Sequence, residues 1–233
     1  MRHPTELLPD PLPAEPLVLV NHWLAESWKL RQQPNPNAMV VATVGPEGQP
    51  SARVVLCKEV VPQPGYLVFY TNYLSRKGQQ ISQNPRAAAV IHWDTQHRQI
   101  RVEGPVVRAP EADSDAYFAS RPWQSRLGAW ASAQSEPLAS RRELQQNLAR
   151  MAKKFGTPPP EATTEPTADV LVPRPPHWGG FHLWAESVEL WVEGESRIHD
   201  RARWTRTLTE RPGSDVDGAL FDAGTWTSTR LQP

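Results

Sequence analysis

Cysteine is nearly absent from this chain: Cys57 is the only one in 233 residues. A lone thiol closes no intrachain disulfide and completes no CxxC metal or redox pair, and it fits a reducing compartment. Net charge is absent too, with 25 Lys and Arg against 25 Asp and Glu. A chain so balanced lacks the global field that marks nucleic-acid or membrane-surface binders, so any cationic site has to be local. No apolar run approaches the roughly 20 residues that cross a bilayer, and the N-terminal MRHPTELLPDPLPAEP has no apolar segment behind basic residues. A cytoplasmic protein is expected, with neither nucleic acid nor membrane as partner. Catalytic signatures are missing as well. There is no GxxxxGK[ST] loop, no GxGxxG after a strand and no GxSxG elbow. The histidines form no HExxH, and His92 with His97 reads as incidental, so no metal is expected.

Proline is plentiful, 25 residues in all, but five fall in Pro4–Pro16 and seven in Pro158–Pro176. These clusters mark an N-terminal arm at 1–16 and a linker at 157–176, with the rest of 17–233 forming a single domain. Ten tryptophans promise large buried or stacking surfaces. Leu17, Val20, Trp23, Leu24 and Trp28 recur at helical spacing, predicting a helix over 17–30. AMVVATVGPEGQPSARVVLCKEV reads as a hairpin, GYLVFYTN as a third strand, and AAAVIHW and RQIRVEGPVVRA as two more. SRKGQQISQNP predicts a short helix capped by Ser75 and stopped before Pro85. Helices are expected in EADSDAYFASRP, near QSRLGAWAS and in EPLASRRELQQNLARMAKKFG, and strands in GGFHLWAES, VELWVEG and RIHDRARWTRT. The fold class is mainly β with flanking helices (α+β), a meander long enough to close into a barrel.

Four local constellations carry chemistry. In SRKGQQ, Arg76 and Lys77 occupy the first helical turn, where free amides favour negative charge, so an anion such as phosphate would correct the mismatch. In RVVLCK, Arg53 and Lys58 lie five apart, on opposite faces of a regular strand unless one sits beyond its end. Cys57 between them reads as a small buried filler. In YFASRPWQS, Tyr117 and Arg121 share a helical face, Pro122 ends the helix and Ser125 follows in the turn; a phenol, a guanidinium and a hydroxyl suit a phosphate. In WVEGESRIHDR, an extended chain would set Arg197, His199 and Arg201 on one face, with Trp191 upstream to wall off a planar ring. Taken alone, each also has a plain structural account: solvated charge in SRKGQQ, RVVLCK and WVEGESRIHDR, and an Arg stacked on a Tyr to cover a helix end in YFASRPWQS. Together they suggest a phosphorylated cofactor and a phosphorylated substrate.

From about Leu12 to the C-terminus the chain resembles the pyridoxamine 5'-phosphate oxidase family. The resemblance rests on AMVVATV, RVVLCK, VFYTN, SRK, RQIRVEG, YFASRP, Gly128–Ser135 (GAWASAQS), HWGGF, RIHDR and the terminal RLQP, in that order. It implies an FMN-binding split β-barrel that forms a homodimer with FMN at the subunit interface. It further implies a small phosphorylated pyridine substrate, O2 as acceptor, and oxidation of pyridoxine or pyridoxamine 5'-phosphate to pyridoxal 5'-phosphate. Carried over by position, Arg53, Lys58, Arg76 and Lys77 would hold the FMN phosphate and ribityl chain. Val54, Val55, Leu56 and Cys57, with Tyr70 and Thr71, would follow the cofactor, and Gln99, Gln134, Ser135, Trp191 and Arg201 would complete its site. Lys58, Tyr117, Arg121 and Ser125 would bind the substrate phosphate. Arg197 and His199 would lie over the pyridine ring as the catalytic pair. Members often carry an Arg-x-x-Tyr arm over the substrate, which is not seen here. Two other readings differ in kind: a phenazine-pathway-type flavin oxidase on a ring without phosphate, and a non-catalytic FMN or pyridoxal-phosphate binding protein.

Overall fold

The computed structural model describes residues 6–163, 166–167, 170–211 and 220–233. The first five residues of the arm and four of the linker, 164–165 and 168–169, lie outside it. In chain order the described elements are α1 (Pro16–Leu30), β1 (Ala38–Val44), β2 (Pro50–Leu56), β3 (Glu59–Val61), β4 (Tyr66–Asn72), α2 (Arg76–Gln83), β5 (Arg86–Trp93) and β6 (Arg98–Arg108). Then follow α3 (Glu111–Ser120), α4 (Trp123–Ala131), α5 (Arg141–Phe155), β7 (Trp178–Trp184), β8 (Ser187–Val192), β9 (Asp200–Thr205), β10 (Leu208–Glu210), β11 (Phe221–Ala223) and β12 (Thr227–Leu231). No helix among the described residues is long and apolar enough to cross a membrane.

One antiparallel path runs β12-β9-β8-β6-β5-β1-β2, so strands from both ends of the chain share a sheet. The eleven-residue β6 joins this path to a second layer. Its first part pairs β5 and β8, while Val106–Arg108 pairs β7, which in turn pairs β4. A long strand shared by two layers curls the sheet into a split barrel. The barrel interior is apolar: Met39, Val41, Leu67, Phe69, Ile91, Ile100, Val102, Leu183 and Leu190 are buried, and Leu17, Val20 and Trp23 of α1 close one end. The alternation in β6, buried at every second residue, is the period of a strand with one face on the core.

A second, smaller cluster forms where α4 meets α5: Trp123, Leu127 and Ala152 pack with Val172 of the proline-rich stretch. Trp130 Nε1 donates to Pro173 O (2.8 Å), which pins that stretch to α4. The arm is held as well. Leu8 is buried in the main core, its N–H donates to Asp200 Oδ2 (2.8 Å), and Trp204 Nε1 donates to Pro13 O (2.7 Å).

Two local expectations change. Ser125 lies in the first turn of α4, not in a turn after Pro122. Proline disfavours the helix before it but starts one well, so Pro122, at φ −51° and ψ 139°, stops α3 and opens α4. The basic run is not one extended strand either. Glu195–Arg197 forms a 3-10 turn with Ser196 and Arg197 at φ 53° and 66°, and β9 starts only at Asp200. A Cβ at Gly194 would lie 1.7 Å from Ile198 O, so only glycine lets the chain fold back this tightly. Arg197 is therefore not placed by strand alternation with Arg201.

Candidate functional site

Ser75 caps α2: its Oγ accepts from the amide of Gly78, and at position 78 a Cβ would sit 2.1 Å from Tyr73 O. Glycine thus allows this first turn to press against the end of β4. Lys77 does not extend into water. It is buried, and its Nζ donates to Ser75 Oγ (3.0 Å) and Gln134 Oε1 (2.8 Å). Burial first, and then the nearby Arg53 cation, lower its pKa to about 8. Arg53, on β2, donates to Thr43 Oγ1 (2.6 Å), Ser51 Oγ (2.6 Å) and Val41 O (3.2 Å). Its own pKa is lowered by burial and then by the charge of Arg76. No carboxylate among the described residues pairs with Arg53, Arg76 or Lys77. Three adjoining cations beside the free amides of a helix start, with Arg76 lowering Arg53 and Arg53 lowering Lys77, make an anion seat.

The seat adjoins a cleft of ≈ 710 Å³ between β2, β4, α2, α3 and α4. Val54, Val55 and Leu56 of β2 line it, with Tyr70, Thr71, Lys77 and Gln134. Lys58, Tyr117, Arg121 and Ser125 line it as well. Lys58 reaches the cleft because β2 ends at Leu56, which resolves the opposite-face conflict of RVVLCK. Tyr70 and Tyr117 stack at 3.9 Å, and Trp178 continues the stack 5.6 Å from Tyr70. Burial, followed by Asp113, drives the Tyr70 phenol up to about 12, so it stays a neutral donor. Lys58 Nζ lies 5.4 Å from the Tyr117 ring centre and Arg121 Cζ 4.5 Å from that of Trp178. Arg121 Nη1 is buried without a hydrogen-bond partner. Arg121 lines the cleft, and its guanidinium is a donor plane of the kind that suits a phosphate.

The cleft thus gathers Val54, Val55, Leu56, Lys58, Tyr70, Thr71, Lys77, Tyr117, Arg121, Ser125 and Gln134, with Arg53 and Arg76 beside it. It does not gather the remaining expected residues. Cys57 faces the core, 1 % exposed, with its thiol raised to about 12 chiefly by burial. It serves as the filler foreseen, while its amide and carbonyl both bond to Asn37. Ser135 is exposed at φ 79° and lines no part of the cleft. Gln99, Trp191 and Arg201 form a separate row, paired side by side across β6, β8 and β9. His199 joins this row by its ring, 4.7 Å from that of Trp191, and its Nδ1 accepts from Gly194 N (3.2 Å). That acceptance leaves the neutral imidazole's proton on Nε2. Arg197 is exposed beside it.

Sequence reading did not anticipate three residues that matter here. Thr43, Ser51 and Gln80 surround Arg53 and were given no role, although AMVVATV contains Thr43 and SRKGQQ ends on Gln80. Alternation in β1 and β2 could have put Thr43, Ser51 and Arg53 on one side, but nothing local brings Gln80 of α2 to them. Trp178, the end of the aromatic stack, was visible only as part of HWGGF.

Residues 29–155 match the family profile described as pyridoxamine 5'-phosphate oxidase, and residues 178–233 match the pyridoxine 5'-phosphate oxidase C-terminal dimerisation region. A pyridoxine/pyridoxamine 5'-phosphate oxidase of Paracoccus denitrificans is 42 % identical over 94 % of this chain and 95 % of its own length. One from an Acidovorax species is 44 % identical over 98 % and 91 %. Among solved structures, PhzG from Burkholderia lata, in complex with tetrahydrophenazine-1-carboxylic acid, superposes with a TM-score of 0.77 at 27 % identity, covering 96 % of this chain and 95 % of that one. An FMN-binding protein from Nostoc punctiforme shares the fold at a TM-score of 0.64 and 16 % identity, covering 93 % and 96 %.

Proposed function

The chain belongs to the pyridoxamine 5'-phosphate oxidase family, and from that premise we propose that it is an FMN-dependent oxidase in vitamin B6 metabolism. Its reaction converts pyridoxine 5'-phosphate and pyridoxamine 5'-phosphate to pyridoxal 5'-phosphate, with O2 as acceptor and H2O2 as product. One observation carries the reading: two phosphate-suited groups of side chains meet in one cleft. Lys77, with Arg53 and Arg76 beside it, shares the cleft lining with Lys58, Tyr117, Arg121 and Ser125. A ring without phosphate gives the second group nothing to bind, which disfavours the phenazine-type reading.

The working unit is a homodimer, and residues 17–233 act in it as one flavin-binding domain carrying the arm and the linker. Support comes from the division of the expected residues between the cleft and the Gln99, Trp191, Arg201 row. Apposing two copies would set the row of each against the cleft of the other, and the matched dimerisation region includes β8 and β9. The outer faces of β1 and β2 suit such contact, since Val40, Val54 and Leu56 are exposed there. The lone buried thiol accords with a cytoplasmic setting.

FMN supplies the two-electron redox chemistry when bound. The Arg53, Arg76 and Lys77 seat would hold its phosphate, and Val54, Val55, Leu56, Tyr70, Thr71, Gln134 and, by continuity, Ser135 would follow its ribityl chain and ring. Cys57 contributes only by packing. Lys58, Tyr117, Arg121 and Ser125 anchor the substrate phosphate, so binding energy remote from the reacting carbon fixes its position. Arg197 presents positive charge to the pyridine ring. His199, with its proton on Nε2, donates to the substrate or handles a proton there.

Aerobic turnover of pyridoxine 5'-phosphate by the FMN-loaded protein, followed for pyridoxal phosphate and peroxide together, tests the assignment. Matched formation of both is expected. Bound FMN without product would sink the substrate assignment and return the phenazine-type and non-catalytic readings.

A further inference from the structure

Arg53 is surrounded by oxygens, yet none of them carries a charge. Thr43 Oγ1 and Ser51 Oγ each accept from the guanidinium, and each donates its own proton to the same atom, Gln80 Oε1, at 2.6 Å and 2.8 Å. Arg53 Nη2 also lies 3.5 Å from that oxygen. A hydroxyl accepts well from a guanidinium only when its proton points elsewhere. The Gln80 carbonyl provides that elsewhere for both hydroxyls at once. Thr43 is fully buried and Gln80 is 5 % exposed, so water does not substitute freely. Gln80 also sits one turn along α2 from Lys77, so it locks the cation-bearing helix start to the β1–β2 hairpin.

We infer that Gln80 is a positioning residue for flavin binding, and that it is an amide because a carboxylate would neutralise Arg53. An amide oxygen orders the hydroxyls and aims the guanidinium while leaving its positive charge for a phosphate. A glutamate in the same shape would make the same contacts and form an ion pair with Arg53, removing the attraction the site depends on. This rests on the reading of Arg53, Arg76 and Lys77 as the FMN phosphate seat.

The test uses the full chain stripped of flavin and titrated with FMN and with riboflavin, which lacks the phosphate, by fluorescence quenching. Wild type should prefer FMN. Gln80→Glu should weaken FMN binding by about 100-fold, change riboflavin binding by less than threefold, and melt at or above the wild-type temperature. Gln80→Met, which removes the oxygen and adds no charge, should weaken FMN binding by about tenfold. A residue that served structure alone would give the opposite ranking, since glutamate keeps every contact and methionine keeps none. FMN affinity within threefold of wild type in Gln80→Glu, or equal losses for FMN and riboflavin, would overturn the inference. No preference for FMN in wild type would instead overturn the phosphate seat, and this inference with it.

Discussion

Arg53 and Arg201 sit in the two parts of the molecule assigned to one cofactor, and they are held in opposite ways. Around Arg53 every acceptor is neutral: two hydroxyls, a backbone carbonyl and an amide. Arg201 meets a buried carboxylate instead, donating through Nε (3.1 Å) and Nη2 (2.8 Å) to Glu189 Oε1, while Arg101 reaches Glu189 Oε2 at 3.2 Å. Arg201 Nη1 adds a bond to Gln232 O (3.1 Å). The first arrangement costs stability and leaves charge for a ligand. The second spends the charge internally and leaves a rigid donor plane beside Trp191. A basic run in a sequence is thus no measure of available charge, because one buried carboxylate on the next strand decides whether it is free.

Removing each partner should separate the two arrangements. Arg53→Met should reduce FMN affinity by about 100-fold, the scale of a charge-assisted contact of roughly 3 kcal/mol. It should leave the apo melting temperature unchanged or slightly higher, because it relieves repulsion within the cation cluster. Calorimetry on the same samples reads both quantities, and a large loss of apo stability would break the contrast. Glu189→Gln should do the reverse. Two guanidiniums lose one buried carboxylate, and because Arg101 and Arg201 are partly exposed, the full 3–5 kcal/mol for a buried pair is discounted to about 2 kcal/mol of unfolding free energy. Denaturant midpoints would show it.

The pH dependence should differ as well. Lys77, lowered to about 8 by burial and Arg53, is charged below that pH and neutral above it. FMN affinity should therefore be constant from about pH 7, where the FMN phosphate is already doubly ionised, up to about pH 8, and fall by up to tenfold per pH unit above it. Apo stability should rise over the same window, because the unfolded chain retains a lysine proton up to about pH 10.4 while the folded chain has released it. Lys77→Met should abolish both trends, and a slope that survives the substitution would assign the titration elsewhere. The smallest effect belongs to Arg76→Met. That side chain is exposed, so its loss should weaken FMN binding only about threefold, and added salt should shrink the difference further.

Much of the fold was legible because it is periodic. Apolar residues at helical spacing marked α1, β-rich composition marked the β1–β2 hairpin and β6, and Ser75 announced the start of α2. The cationic start of α2 at SRK and the donor set of Tyr117, Arg121 and Ser125, which shares one cleft with Lys77, were legible too, because helix-terminus chemistry and donor type are local. The basic run misled for a local reason of another kind. Composition suggested a strand, but the tight approach of Gly194 to Ile198 made a turn of its first half.

Residue order alone determined which segments are strands and helices, where α2 is capped, and that cations and donors suited to phosphate recur along the chain. Those properties depend on contacts a few residues apart. Only the tertiary structure decided which cations keep their charge. Gln80 reaches Thr43 across 37 residues, Arg101 reaches Glu189 across 88, and Gln134 reaches Lys77 across 57. Whether a side chain meets an amide or a carboxylate at such separations follows from strand register and helix placement, and these are set by how the whole core packs.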